Sequence, residues 1–197
     1  DYINTFIPDA KTLIDIGGED SKIIFFDEQR GHDLRMNGGC AGGTGAFLDQ
    51  LANLIDLDLS DIDRYAGYGT KYYCIASRCG VFAKTDVQNL ISNGVPLEDV
   101  CYSIFKALSI QIKNTLLRGS SVKGKVLFSG GPLTFLENLR KAIIKEFGLC
   151  ESNSLLLNDS LFISAIGCTL NSNYSNPISL IDFKNKIIKE LNSEFIR

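Results

Sequence analysis

Residues 36–48 of the chain read MNGGCAGGTGAFL and hold five glycines around one cysteine, Cys40, directly before a helical pattern. Glycine lets the backbone turn tightly and lets its N–H groups come close to a bound group. The helix that follows, predicted over 44–55, would aim the positive end of its dipole at the same place. The stretch therefore predicts a site for a thiolate or a phosphate, with a flexible glycine loop and an incidental cysteine as the alternative.

A second glycine turn, Gly17-Gly18-Glu19-Asp20, lies between two predicted strands, Thr12–Ile16 and Ser21–Phe26. Its glycine N–H groups can hold a polyphosphate while the carboxylates of Asp15 and Asp20 approach the shell of a magnesium ion. A polar hairpin turn without a ligand is the alternative interpretation.

A third glycine turn, Gly130-Gly131, ends an apolar strand predicted over 124–129 and precedes a helix predicted over 135–147. A strand, a double glycine and a helix in this order give a ligand, such as a nucleoside, a flat backbone surface to lie on.

A second cysteine, Cys79, also stands ahead of a helix, which we predict from residue 85 or 86 to residue 92. Two cysteines before two helices suit an anionic, thiolate-bound group held between positive dipole ends. Cys74 competes with Cys79 for this role. A zinc site is disfavoured because the sequence has no close Cys-x-x-Cys pair and a single histidine, His32.

The composition is that of one ordinary globular domain, or of one lobe of a larger protein, with 197 residues, 45% hydrophobic and 22% charged. The formal net charge is −3 and the basic residues are scattered, which argues against a nucleic-acid partner. No run reaches the roughly 18 apolar residues of a transmembrane helix, and no signal segment opens the chain, so we expect no membrane association and a cytoplasmic protein. Because the chain starts at Asp1 and reads straight into a strand-like run, we expect an excised piece of a longer polypeptide.

The longest helix is predicted over 96–118, with an apolar stripe that we assign to packing. Cys101 and Cys168 fall inside apolar helical patterns, and we expect both in the core.

The end of the chain reads as a linker rich in asparagine and serine over 171–177, followed by an amphipathic helix over 178–195. The apolar face of that helix needs a neighbour, so we expect it to pack on the outside of the lobe. The chain is therefore divided into a domain over 1–171 and a linker with a terminal helix over 172–197.

Three glycine turns at strand ends, together with two cysteines before helices, resemble the ATP-dependent activators of 2-hydroxyacyl-CoA dehydratases and the related ATPase subunits of benzoyl-CoA reductase. The resemblance runs over residues 11–170, most of the chain. Residues 15–22, DIGGEDSK, resemble the family's second phosphate motif, and residues 128–131, FSGG, resemble its adenosine motif. Its two cysteine segments resemble residues 37–48 and 77–89.

This resemblance implies a ribonuclease-H-like α/β lobe, a mixed sheet flanked by helices, of the actin-like ATPase superfamily that includes acetate kinase, sugar kinases, Hsp70 and actin. It also implies a homodimer with one 4Fe-4S cluster between its subunits, bound by Cys40 and Cys79 of each. Hydrolysis of ATP to ADP would then drive one low-potential electron into a partner. The partner would be a 2-hydroxyacyl-CoA dehydratase or a benzoyl-CoA reductase-like component, which can belong to the same chain.

The resemblance also implies which residues handle the nucleotide. Asp15 and Asp20 become the catalytic carboxylates around Mg²⁺. Binding of ATP or ADP is assigned to the glycine turns and their neighbours, which are Gly17, Gly18, Glu19, Gly42, Gly43, Thr44, Gly45, Gly130 and Gly131.

Three features depart from the family pattern. Glu19 replaces the usual glutamine, and residues 130–136, GGPLTFL, differ from the commoner adenosine motif. Both variants look more like large fused proteins that join activator-like and dehydratase-like domains. The family's first phosphate loop, expected well upstream of Asp15, has no counterpart in the sequence. We therefore hypothesise that this chain binds nucleotide weakly and hydrolyses it poorly or not at all.

Two other functions stay open at this point. A small-molecule kinase of the same superfamily would use Asp15 or Asp20 as a general base near a hydroxyl group, but it leaves both cysteines without a role. A non-catalytic lobe of a larger fused protein would keep the fold and a degenerate nucleotide site. Cluster content separates the activator from the kinase, and nucleotide affinity separates an active site from a degenerate one.

Overall fold

The computed structural model describes residues 2–27, 31–37, 39, 41–122, 124–170, 172 and 179–194. Its strands are β1 Ala10–Ile16, β2 Ser21–Asp27, β3 Gly31–Asn37, β4 Lys125–Ser129 and β5 Ser154–Leu156. Its α-helices are α1 Tyr2–Phe6, α2 Gly45–Ile55, α3 Leu59–Ala66, α4 Gly80–Ser92, α5 Leu97–Ile112, α6 Gly131–Phe135, α7 Glu137–Phe147, α8 Ile163–Leu170 and α9 Leu180–Glu194. A π-helical turn, Lys113–Leu117, continues α5, and short 3-10 turns cover Glu151–Asn153 and Ser160–Phe162.

The strands form one mixed sheet in the order β3-β2-β1-β4-β5. Hairpin connections make β1, β2 and β3 antiparallel, whereas β1, β4 and β5 run parallel. Parallel strands end at the same edge of a sheet, so the glycine turns after β1 and β4 emerge side by side. In this register Asp15 on β1 lies opposite Ser129 on β4. The architecture confirms the predicted α/β lobe with a mixed sheet.

Both faces of the sheet are buried at its centre. Consecutive residues of β1 and β4 are buried, and their side chains point to opposite faces of the sheet. Ile14 and Phe128 face the larger core, which they share with α2 to α7. Leu13 and Leu127 face a smaller core formed with α1 and α8.

The packing role predicted for the longest helix is confirmed. The predicted stripe on α5 and its π-helical continuation is fully buried, at Val100, Ile104, Ala107, Leu108, Ile112 and Leu116. Cys101 is buried beside this stripe, and its desolvation raises the pKa of the thiol to about 12, so it stays a neutral core group. Cys168 was also expected in the core, but it is exposed because it lies on the side of α8 away from the buried Ile163.

Two predicted helices have different bounds in the structure. α4 begins at Gly80 rather than at Thr85 or Asp86. The carboxylate of Asp86 does not cap a helix; it accepts the N–H of Ala76 at 2.7 Å and fixes the loop ahead of α4. The helix expected over 135–147 is α7, which begins at Glu137 because the backbone is extended at Leu136, with φ −105° and ψ 94°. A separate short helix that was not predicted, α6, precedes it.

The two ends of the described chain also differ from expectation. The strand-like run expected after Asp1 forms α1, which buries Tyr2 and Ile3 against the sheet. α9 was expected to pack on the lobe, but its described side chains, residues 180–189, are all exposed. The apolar face of α9 is therefore uncovered within the described part of the chain. The division into a domain and a terminal helix stays a prediction.

The remaining expectation at the level of the fold concerned transmembrane helices, and the sequence predicted none. Within the ranges that the structure describes, each helix is too short or too polar to cross a bilayer.

Asp99 and Ser103 of α5 hold the backbone ahead of the second cysteine segment. Asp99 Oδ1 accepts the N–H groups of Thr70 and Lys71 at 2.8 and 2.9 Å. Ser103 Oγ accepts the N–H of Tyr73 at 2.9 Å. The backbone donors at residues 71 and 70 hold the pKa of Asp99 below the ordinary value for aspartate, because they stabilise its charged form.

The substitution Asp99→Asn should lower the free energy of unfolding at neutral pH, because an amide oxygen accepts these hydrogen bonds more weakly than a carboxylate does. The difference from the wild type should shrink as the pH falls through the lowered pKa of Asp99, where the wild-type carboxylate also becomes protonated. Urea unfolding of both proteins at several pH values measures this. Asp58→Asn is the matched control, since the exposed Asp58 makes no capping hydrogen bond. Equal, pH-independent effects of the two substitutions would contradict the prediction.

Candidate functional site

The turns after β1 and β4 touch through their backbones. Gly130 has φ +91°, in the region that favours glycine. A Cβ atom built on Gly130 would overlap the carbonyl oxygen of Ile16, the last residue of β1. The close approach of the two strand ends therefore requires glycine at this position.

The start of α2 completes a junction of three glycine turns. Gly45 N–H donates to the carbonyl oxygen of Gly17 at 2.9 Å, and Ala46 N–H donates to that of Gly18 at 2.6 Å. A Cβ atom on Gly45 would lie 3.1 Å from Gly18 Cα and 3.4 Å from Pro132 Cγ. The structure thus brings the 17–18, 45 and 130–131 positions together.

These hydrogen bonds change what Gly45 can contribute. Its N–H group is already paired with Gly17, so Gly45 supports the site by permitting close approach instead of offering a free donor to a phosphate. By contrast, a Cβ atom on Gly18 or on Gly131 would meet no atom within 4 Å, and the backbone at both positions faces open space. The open surface of the junction therefore lies at Gly18 and Gly131.

The segment 41–44 is a tight turn packed on α5. Thr44 is buried, and its Oγ1 donates to the carbonyl oxygen of Ala41 at 2.6 Å. Asn37 Nδ2 donates to the carbonyl oxygen of Gly42 at 2.7 Å. Gly43 has φ +90° and lies against Ile112, since a Cβ atom there would be 3.5 Å from Ile112 Cγ1. Three of the predicted nucleotide-binding residues, Gly42, Gly43 and Thr44, thus shape this turn.

The two predicted catalytic carboxylates share one lysine. Lys22 Nζ lies 2.8 Å from Asp20 Oδ2 and 3.8 Å from Asp15 Oδ2, and all three side chains are partly exposed. The hydrogen bond to Asp20 raises the pKa of Lys22 above the ordinary value for lysine. Sequence reasoning gave Lys22 no role, although the register of the β1–β2 hairpin, in which Asp15 faces Lys22, follows from the strand lengths and the turn between them. Glu19 is exposed at the tip of the same turn.

The two cysteine segments lead into neighbouring helices. Cys40 and Gly38 lie outside the described residues. Cys79 is half-buried directly before α4, and its carbonyl oxygen accepts the N–H of Ala83 at 3.0 Å. A Cβ atom on Gly80 would lie 2.9 Å from Gln50 Oε1, which places the start of α4 against α2.

The other described cysteines do not form a second candidate metal site. Cys74 and Cys150 are exposed and unbridged. In the ranges that the structure covers, no three His, Cys, Asp or Glu side chains are grouped closely enough to hold a metal ion. A cluster bound by this chain would therefore need ligands beyond the described side chains.

Two further residues of this region were missed by sequence reasoning. Ser21 is buried opposite Asn37, and its Oγ has no hydrogen-bond partner among the described residues. Phe135 ends α6 with 72% of its surface exposed. A large exposed aromatic side chain inside a glycine motif is the signal that could have identified Phe135.

Comparison with known proteins identifies the lineage of this site. The family model described as the BadF/BadG/BcrA/BcrD ATPase family matches residues 3–170. The chain is 34% identical over 123 residues to the (R)-2-hydroxyglutaryl-CoA dehydratase activating ATPase of Acidaminococcus fermentans, a match that covers 62% of this chain and 47% of that protein. The chain therefore spans about half the length of the curated relatives it matches.

Solved structures show the same fold. Component A of the (R)-2-hydroxyglutaryl-CoA dehydratase of A. fermentans matches with a TM-score of 0.77 and 29% identity, over 87% of this chain and 64% of that one. The activator of the 2-hydroxyisocaproyl-CoA dehydratase from Clostridium difficile, solved with bound ADPNP, matches with a TM-score of 0.73 and 25% identity, over 89% and 68%. These likenesses confirm the predicted actin-like ATPase fold.

The junction predicts opposite outcomes for two adjacent glycines. Gly130→Ala should lower the free energy of unfolding by roughly 1–3 kcal/mol through its backbone conformation alone, and the overlap with Ile16 should add to this loss. Gly131→Ala should leave stability close to that of the wild type, because its Cβ atom enters open space. Urea denaturation followed by circular dichroism compares the two variants. Equal stability of the two would refute the close approach at Gly130.

Proposed function

Because the chain belongs to the BadF/BadG/BcrA/BcrD ATPase family, we propose that it is the cysteine-bearing lobe of an ATP-driven one-electron-transfer activator. Its target would be a 2-hydroxyacyl-CoA dehydratase or a benzoyl-CoA reductase-like component. The observation that carries this proposal is the junction itself, where three segments meet: residues 17–20, here called the phosphate turn, the start of α2, and residues 130–131, here called the adenosine turn. The Cys79 helix α4 packs against the same α2.

The nucleotide would bind across the open side of this junction. Its polyphosphate would lie against Gly17 and Gly18, and its nucleoside against Gly130 and Gly131, the turns that end two neighbouring parallel strands. The ADPNP bound to the C. difficile activator supports a nucleotide ligand for this fold. Turn backbone donors favour an anionic polyphosphate at the end of β1.

Mg²⁺ would be held by Asp15 and Asp20, whose carboxylates already converge on one cation, the Nζ of Lys22. Hard oxygen ligands of this kind suit magnesium. In the ligand-free site Lys22 neutralises part of the carboxylate charge. When a Mg–nucleotide complex binds, Lys22 would be released from Asp20 and could approach the phosphates. Positioning and charge compensation of this type are the main contributions of a protein to phosphoryl transfer.

The cluster ligands would be Cys40 and Cys79. Cys79 fits this role in the described structure, because it is half-buried and directly precedes a helix whose first N–H groups favour an anionic group. A 4Fe-4S cluster has four thiolate ligands, so two cysteines from each of two subunits would complete it, which requires a homodimer. When bound, the cluster would supply the low-potential electron.

Coupling between nucleotide and cluster would pass through α2. Its first two N–H groups hold the carbonyl oxygens of the phosphate turn, and its Gln50 side chain lies against Gly80, next to Cys79. A shift of the phosphate turn on nucleotide turnover would therefore move the helices that follow both cysteines. The nucleotide can favour one arrangement only through its differential affinity for the two.

One observation favours a second candidate, a nucleotide-binding lobe without hydrolysis inside a larger fused protein. Lys22 forms an ion pair with Asp20 and lies near Asp15, so the negative charge of these two carboxylates is partly neutralised without a metal ion. A binding lobe of this kind would keep the fold and the nucleotide surface while contributing no ATPase activity.

Anaerobic reconstitution with iron and sulfide tests the cluster. We expect about four irons per dimer, visible absorption typical of iron–sulfur clusters, and dimerisation. Cys40→Ser and Cys79→Ser should each abolish the cluster. Cys74→Ser is the matched control, because Cys74 is close in sequence and exposed, and it should keep the cluster. A well-folded chain that binds no iron, or equal losses in all three variants, would overturn the electron-transfer proposal.

Nucleotide binding by the 197-residue chain should be weak, with little or no hydrolysis, because its sequence matches one of the family's two phosphate motifs. Titration calorimetry with Mg-ATP, together with a steady-state phosphate-release assay, measures both quantities. Asp15→Ala should remove the magnesium-dependent part of the binding. Steady-state hydrolysis that disappears in Asp15→Ala would contradict the expectation of an inactive lobe and would favour full activity.

A further inference from the structure

Phe135 ends the short helix α6 and is among the most exposed large apolar side chains of the lobe, at 72%. The rest of α6 is fixed in place. Leu133 is fully buried in the core, and Pro132 lies against the start of α2, since a Cβ atom on Gly45 would be 3.4 Å from Pro132 Cγ. The outward side of the helix is therefore the side that carries Phe135.

Gly131 shares this outward side. Residues four apart in a helix lie one above the other on the same face, so Phe135 stands beside Gly131. A Cβ atom on Gly131 would meet no atom within 4 Å. The result is an open, flat stretch of backbone with an aromatic ring at its border.

Hydrogen bonds hold Phe135 at this border. Thr134 Oγ1 donates to the carbonyl oxygen of Gly130 at 2.8 Å, and Leu136 N–H donates to that of Pro132 at 3.0 Å. From α7, Arg140 Nη1 donates to the carbonyl oxygen of Leu133 at 2.6 Å. The helix end is thus tied to α7, and the backbone on both sides of Phe135 is held by hydrogen bonds.

We propose that Phe135 is a binding residue for the base of the nucleotide, which stacks on the Phe135 ring while it lies over Gly131. This inference rests on the proposed nucleotide-binding function and assigns a residue to it. A purine or pyrimidine offers a planar apolar face, and an aromatic side chain recognises it by stacking. Stacking tolerates different bases, so Phe135 adds affinity for nucleosides without selecting adenine over guanine.

Titrations of the wild type, Phe135→Ala and Phe135→Tyr, each as the whole chain and with Mg-ATP and inorganic tripolyphosphate as probes, test this contact. Phe135→Ala should weaken ATP binding by about five- to a hundredfold and should leave tripolyphosphate binding unchanged, because tripolyphosphate has no base. Phe135→Tyr keeps an aromatic ring and should keep ATP affinity. Since Phe135 is exposed, none of these substitutions removes a core side chain.

A fluorescence measurement adds a direct readout, because the sequence contains no tryptophan. Phe135→Trp places a single tryptophan at the proposed contact, and its emission should be quenched by ATP but not by tripolyphosphate. Phe6→Trp is the matched control, since Phe6 is 57% exposed at the end of α1, ahead of the start of β1, whereas the proposed site follows the end of β1. Its emission should not respond to either probe.

The outcomes separate this inference from the function on which it rests. If the wild type binds ATP but Phe135→Ala binds it equally well, or loses ATP and tripolyphosphate alike, stacking on Phe135 is overturned and the nucleotide site stands. If the wild type binds neither probe, both the inference and the proposed nucleotide site are overturned.

Discussion

Two backbone hydrogen bonds, from the start of α2 to the carbonyl oxygens of Gly17 and Gly18, hold the functional side of this lobe together. They join a helix to a hairpin turn without using any side chain, and three of the four residues involved, Gly17, Gly18 and Gly45, are glycines. The third turn is added by Gly130, whose backbone meets Ile16 at a distance that excludes a Cβ atom. The density of glycine in the sequence therefore reflects contact between backbones as much as contact with a ligand.

The close approach of the three turns gives the glycines two different roles. Gly45 and Gly130 allow the turns to touch, whereas Gly18 and Gly131 leave their outer surfaces open. Of these four glycines, Gly18 and Gly131 therefore leave room for a ligand against the backbone. The nearby charged groups, Lys22 and the carboxylates of Asp15 and Asp20, lie at the phosphate turn. Because Asp15 follows Leu13 by two residues on β1, its side chain is on the face of the sheet that carries α1 and α8.

Patterns of alternation and helical periodicity were sufficient to predict β1, β2 and the buried stripe of α5, because each depends on local spacing. The features that escaped prediction depend on contacts between distant segments. Aspartate is a common helix-capping residue, but the carboxylate of Asp86 accepts a hydrogen bond from the N–H of Ala76 instead. The break at Leu136 lets α6 and α7 take separate positions, and no breaker residue marks it. Cys168 resembles a core residue until the packing direction of α8 is known.

The parallel pairing of β1 with β4 also has a consequence for the order of folding. β1 ends at Ile16 and β4 begins at Lys125, so their pairing must close a long loop that contains β2, β3 and the helices α2 to α5. Closing so long a loop is slow, whereas the adjacent hairpins β1–β2 and β2–β3 involve short, local contacts. During synthesis the phosphate turn therefore emerges and can take its hairpin form early, while the adenosine turn joins it only after the intervening helices have been made. The ligand surface is therefore completed only after α2 to α5 have been made.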